Sequence, residues 1–179
     1  MELFNYLRNF AASGTIMSSS TSAINKLIKE IIPDQPQIIV ELGGGTGKIT
    51  RKILDKMSCS GTLYCFEIQP HFIEELKKIE DKRFHLINDS AANILNHLEK
   101  NSVDVIVSTL PLSFFDKEER GKLLTDCYRA LKLEGTYKQL SFLFFPRYFK
   151  GIFDDVITEL KIIDMPPAVL YFCSKAYRE

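Results

Sequence analysis

The chain has 179 residues, enough for one domain with a sizeable core, and its 23 lysines and arginines balance its 23 aspartates and glutamates. A protein that lives on nucleic-acid phosphates usually carries a basic excess, so none is expected as partner. No apolar run approaches the ~20 residues that span a bilayer, no secretory apolar stretch opens the chain, and Cys59, Cys65, Cys127 and Cys173 form no C-x-x-C pair. Neither a membrane span nor a zinc site is expected, and the cysteines read as reduced core thiols of a cytosolic protein.

Residues 2–11 predict a short amphipathic helix with Leu3, Leu7 and Phe10 on one face. Gly14 breaks it, and the serines 18–20 offer N-caps for a second helix from Ser22 to Ile32. Strands and helices then alternate: strand 37–42, helix 47–57, strand 61–67, helix 70–79, strand 83–88, helix 90–99, strand 103–108, helix 116–131 and strand 136–144. Such alternation predicts an α/β three-layer sandwich with a parallel sheet. A helix near 150–158 is expected next. Two strand-like runs, 160–163 and 168–173, flank Pro166 and Pro167 and predict a closing antiparallel hairpin. The expectation is a single domain over 1–179: helices in 1–36 covering the site, and a seven-stranded, mostly parallel, Rossmann-like core in 37–179.

The segment Glu41-Leu42-Gly43-Gly44-Gly45-Thr46-Gly47 closes the first buried strand and feeds a helix. Glycines there let the backbone approach a ligand closely. Glu67 ends the second strand, where a carboxylate can accept hydrogen bonds from a ribose diol. Together they predict a nucleotide-like cofactor. The dinucleotide pattern G-x-G-x-x-G fails at Lys48, and no P-loop occurs. The histidines, His71, His85 and His97, read as surface or structural groups rather than bases.

The acid-x-G-x-G-x-G pattern resembles the first motif of the class I S-adenosylmethionine methyltransferases. The resemblance implies S-adenosylmethionine as cofactor. Gly43, Gly45 and Gly47 would lie beneath its methionine half, Glu67 at its ribose, and Asp89 and Ser90 at its adenine. Glu41 would either meet its amino group or be a buried acid satisfied locally, and Asp89 is alternatively a helix cap. Further motifs resemble the bacterial phospholipid N-methyltransferases that act on phosphatidylethanolamine: Gly14 to Ser19, Glu41 to Gly47, Ser108-Thr109-Leu110-Pro111-Leu112, Gln139-Leu140-Ser141 and Pro166 to Val169. This resemblance implies that Ser19 and Ser108 reach the cofactor, that Ser108, Leu110 and Pro111 aim an amine, and that no metal takes part. The usual Tyr-Gly-Pro after the glutamine strand is replaced by Phe142-Leu143-Phe144.

A lipid amine lies at a membrane surface. Within the aromatic stretch 142–153, Arg147, Tyr148, Phe149 and Lys150 are candidate contacts for a peripheral protein on the inner face of a membrane, and Phe142 and Phe144 read as strand core. Three alternatives stay open: an rRNA adenine N6-dimethyltransferase, which predicts an amide and an aromatic where Ser108 and Leu112 stand; a small-molecule amine methyltransferase; and a non-catalytic cofactor binder. Oligomeric state is not legible.

Overall fold

The computed structural model describes residues 21–141, 144–161 and 168–176. Its sheet is built around β1 (Ile38–Leu42), the apolar run ahead of the glycines, which pairs in parallel with β2 (Thr62–Phe66) and β4 (Val103–Ser108). A parallel strand covered on both faces points apolar side chains both ways, so it reads as an unbroken apolar run. β3 (Phe84–Ile87) continues the sheet beyond β2, and β5 (Leu131–Ser141) beyond β4. β7 (Ala168–Ser174) lies antiparallel between β5 and β6 (Asp155–Lys161). The order is β3-β2-β1-β4-β5-β7-β6, the expected seven-stranded sandwich sheet with its antiparallel hairpin. Strand order reverses between β1 and β4, and an open α/β sheet binds its ligand in the crevice at that point.

The helices are α1 (Thr21–Leu27), α2 (Lys48–Lys56), α3 (Pro70–Leu76), α4 (Ile94–His97) and α5 (Lys117–Ala130). On one face, Ile24 and Leu27 of α1 and Ile49 and Ile53 of α2 bury Ile39, Leu63, Val107 and Leu140. On the other, Leu123, Leu124 and Cys127 of α5 pack with Val40, Leu42, Ile106 and Tyr137. α5 opens with a capping box: Asp116 accepts from the amides of Glu118 and Glu119, both at 2.8 Å, and Glu119 reaches back to the Asp116 amide. Two ion pairs tie the α1 segment to the sheet, Lys26 to Glu159 and Glu30 to the fully buried Lys138 at 2.7 Å.

Several boundaries differ from the sequence reading. α1 ends at Leu27 rather than Ile32, and the segment expected as helix 90–99 is a 3-10 turn, Ala91–Asn93, followed by the single turn of α4. β5 starts at Leu131, with a register shift opposite Val103 to Val105 that lets Lys132 to Gly135 bulge. The helix expected near 150–158 is absent. A 3-10 turn, Pro146–Tyr148, is followed by β6, because Val156, Ile157 and Thr158 are β-branched and find a pairing edge on β7. Phe149 is fully buried, its ring 4.8 Å from Tyr171, so it is core rather than membrane contact. Tyr148 is half-buried, stacked on Phe145 with the Arg120 guanidinium 3.7 Å over its ring. Arg147 and Lys150 are exposed, and Phe144, expected in the core, is 71% exposed. Phe142, the helix expected over 2–11, Ser19, and Pro166 with Pro167 lie outside the described residues.

Candidate cofactor and acceptor site

A cavity opens where the carboxyl ends of β1, β2, β3 and β4 meet. Gly43 to Thr46 form its floor, Glu67 and Asp89 one side, and Leu110, Pro111 and Phe115 the far wall. The loop is knitted to the neighbouring strands: the Gly43 amide donates to the Phe66 carbonyl at 2.9 Å, and Thr109 Oγ1 donates to the Gly43 carbonyl at 3.0 Å. Two glycines matter for different reasons. A Cβ on Gly44 would sit 2.4 Å from Cys65 Sγ and 2.8 Å from Leu76 Cδ1, so the strand–helix packing excludes one. Gly45 has φ +53° and a Cβ there would meet nothing within 4 Å, because that direction is the cavity. The floor is therefore a backbone surface that a ligand can approach.

Glu67 is 7% exposed and held by three amides. Its Oε2 accepts from Gly45 at 2.9 Å, and its Oε1 from Ile68 at 2.8 Å and Gln69 at 2.9 Å. Those bonds take three of the carboxylate's four or so lone-pair positions and leave one on Oε2 for a hydroxyl at the cavity side. Asp89 accepts from the Ser90 amide at 2.7 Å and Asn93 Nδ2 at 2.9 Å through Oδ1, and from His97 Nε2 at 2.8 Å through Oδ2. The hydrogen bonds from His97, Asn93 and Ser90 lower its pKa, so it stays an acceptor. Ser90, not Asp89, is the N-cap of the 3-10 turn, its hydroxyl accepting from the Ala92 amide at 3.3 Å.

Glu41 lies behind the floor, fully buried on the α2 side of β1. Thr50 Oγ1 donates to its Oε2 at 2.6 Å, and Oε1 accepts no N–H or O–H among the described residues. Burial pushes the carboxyl up to about 8, against the opposing pull of Thr50 and Cys65. Gly47 is the N-cap of α2, at φ +76°. Ser108 is also fully buried; its hydroxyl accepts from the Leu110 amide at 3.3 Å. Of the residues singled out from sequence, Gly43, Gly45, Glu67, Asp89, Ser90, Leu110 and Pro111 share the cavity wall, while Glu41, Gly47 and Ser108 support it from behind.

The acceptor wall has its own support. The Leu110 carbonyl accepts from the Leu112 amide at 2.9 Å, in a tight turn around Pro111, and from Gln139 Nε2 at 2.9 Å. Tyr137 hydroxyl donates in turn to Gln139 Oε1 at 2.8 Å. Both lone pairs of that carbonyl are thus engaged. Sequence reasoning did not find Thr109, His97, Ile24 or Phe72 as site residues. Their roles arise from contacts across elements, and no local pattern marks them.

Comparison with known proteins agrees with this geometry. Residues 39–135 match the methyltransferase-domain family, and the chain belongs to it. It is an S-adenosylmethionine-dependent methyltransferase of the Rossmann-fold superfamily, with S-adenosylmethionine as its cofactor. Among curated proteins it is 27% identical to the ornithine lipid N-methyltransferase of Singulisphaera acidiphila, across 96% of this chain and 95% of that one. It is 25% identical to the ribosomal RNA small subunit methyltransferase H of Burkholderia ambifaria, across 54% of this chain and 31% of that one. Among solved structures, the fold is similar to a 1,6-didemethyltoxoflavin-N1-methyltransferase of Burkholderia thailandensis with bound S-adenosylhomocysteine: TM-score 0.73, 9% identity, 98% of this chain and 87% of that one. A putative rRNA-methylase from Clostridium thermocellum gives 0.69 at 18% identity, with 89% and 98% covered.

Proposed function

We propose that the protein transfers a methyl group from S-adenosylmethionine to the amine of a lipid headgroup. What carries this reading is the likeness to the ornithine lipid enzyme, which runs nearly end to end in both chains, whereas the ribosomal RNA enzyme matches across only 31% of its own length.

The wall supports the same reading. Leu110 and Pro111 present an apolar surface, and Ser108 and Leu112 stand where an adenine-specific enzyme would need an amide and a stacking ring. An amine seated there loses its water, which disfavours the ammonium form and leaves the nitrogen lone pair available. The cofactor supplies a methyl on a positively charged sulfur that leaves as a neutral thioether. The residues have positioning work. Glu67 holds the ribose, Asp89 and Ser90 the adenine, and the backbone of Gly43 to Thr46 underlies the methionine half. Glu41 and Gly47 set the loop's shape from behind. Ser108 and Gln139 hold the Leu110–Pro111 wall that aligns the amine with the carbon–sulfur bond. Alignment of this kind supplies much of the rate without a strong base. The proton leaves to water.

Membrane contact is assigned to Phe144 with Arg147 and Lys150, which are exposed just beyond the carboxyl end of β5, on the same sheet edge as the cavity. An exposed aromatic beside two cations suits an anionic headgroup layer. Ser19, outside the described residues, is proposed to bind the cofactor.

The test is transfer of labelled methyl to vesicles bearing ethanolamine or ornithine headgroups, with RNA and soluble ethanolamine as parallel acceptors. Label in lipid, abolished by Glu67→Ala, supports the reading. Label only in RNA or in the soluble amine overturns the acceptor and leaves the fold and cofactor intact.

A further inference from the structure

Asp89 is proposed above as the adenine-side acid, and its other contacts decide how it can face the cavity. A carboxylate has about four lone-pair positions. Three are taken among the described residues, two on Oδ1 by Ser90 and Asn93 and one on Oδ2 by His97. The position left on Oδ2 belongs to a residue that lines the cavity.

His97 is the only one of the three donors that fixes Oδ2. It ends α4, and its ring stands edge-on to Phe66 at 5.6 Å and 82°. Phe66 also lines the cavity. The imidazole is therefore wedged between the ring at the end of β2 and the carboxylate at the end of β3. Facing a carboxylate, Nε2 must carry its proton and donate. Without that donor the carboxylate would be held through Oδ1 alone and could rock about its Cβ–Cγ bond by bending those two bonds, so the last lone pair would lose its fixed direction.

We propose that His97 is a positioning residue for cofactor recognition: it orients Asp89 so that one Oδ2 lone pair meets the 6-amino group of adenine. The device makes the site selective for a 6-amino purine. A 6-oxo purine presents an acceptor at the same place, and two acceptors repel. Because a buried or half-buried polar group left facing the wrong partner is costly, discrimination of this type is strong. The inference rests on the adenine role of Asp89, and the test separates the two.

The experiment measures dissociation constants of S-adenosylhomocysteine and its 6-oxo analogue, S-inosylhomocysteine, by calorimetry. The proteins are the wild type, Asp89→Ala, His97→Leu and His97→Gln. Leucine keeps the packing on Phe66 but donates nothing; glutamine returns an N–H near the Nε2 position. The expected result is about tenfold weaker binding of the adenosyl ligand to His97→Leu, corresponding to one lost directed hydrogen bond, with the inosyl ligand scarcely changed and most of the affinity restored in His97→Gln. Equal weakening of both ligands by His97→Leu would mean a packing role only and would overturn the proposal. So would discrimination lost in Asp89→Ala but kept in His97→Leu. Discrimination kept in Asp89→Ala would overturn the adenine reading of Asp89 itself, and His97 with it.

Discussion

Replacing Glu41 by glutamine is predicted to change how stability depends on pH rather than simply to lower it. The carboxyl is fully buried, and burial raises it from 4.5 to about 8. In the folded protein it keeps its proton through neutral pH; in the unfolded chain it ionises near 4.5. Between those two values unfolding releases a proton, so stability falls as pH rises, and the fall ends once the folded carboxyl also ionises. The slope at its steepest is roughly 1 kcal/mol per pH unit, several kcal/mol across the window. Glutamine has no proton to lose, and its carbonyl can still accept from Thr50 Oγ1. Urea titrations of both proteins without cofactor should therefore give a stability difference, Glu41→Gln minus wild type, that is smallest near pH 4.5, grows in favour of the variant up to about pH 8, and is flat beyond. A difference independent of pH would refute the claim that Glu41 is held neutral. A difference growing in the opposite sense would mean that the carboxylate is ionised and partnered in the folded state.

Three further outcomes are expected. Glu67→Ala should weaken S-adenosylhomocysteine by about tenfold or more in calorimetry, since the charge-assisted bond from the ribose to the open Oε2 position is lost and the Gly45, Ile68 and Gln69 amides lose their acceptor. Gly44→Ala should lower the melting temperature by roughly 5 °C in a thermal scan, because its Cβ would fall on Cys65 Sγ and Leu76. Gly45→Ala has open space at its Cβ but forces a side chain into φ +53°, so it should lower stability as well as cofactor affinity. Phe144→Ser combined with Lys150→Glu should reduce co-sedimentation with anionic vesicles several-fold while S-adenosylhomocysteine affinity is kept, because both side chains are exposed away from the cavity wall.

Much of the fold is legible because its signals are local. Ile38-Ile39-Val40 is apolar on both faces, the glycines follow after Glu41 and Leu42, and β2, β3 and β4 each repeat strand–turn–helix. The hairpin is legible from two β-like runs beside Pro166 and Pro167. The helix expected near 150–158 does not form, although Phe149 and Phe153 stand four apart. Both rings instead meet Tyr137 from a 3-10 turn and a bridge, a tertiary outcome that overrides the pattern. The same burial removed Phe149 from the candidate membrane surface and left Phe144 outside.

In the site, the acids at strand ends were legible because the fold brings strand ends together. Glu67 and Asp89 come from strands that are neighbours in the sheet. What sequence could not give is the support behind them. His97 reaches Asp89 from eight residues away, Thr109 closes on Gly43, and Gln139 takes the Leu110 carbonyl from a different strand. Each is a contact between segments whose separation in the chain carries no information about their distance in space.

The account is tested most directly by recovering the acceptor after reaction and locating the new methyl by fragmentation mass spectrometry. Aminolipid vesicles, S-adenosylmethionine and wild-type protein should yield lipid methylated on the headgroup nitrogen, and none with Glu67→Ala. A methyl on RNA or on a headgroup oxygen, or unmodified lipid despite measured cofactor binding, would contradict it.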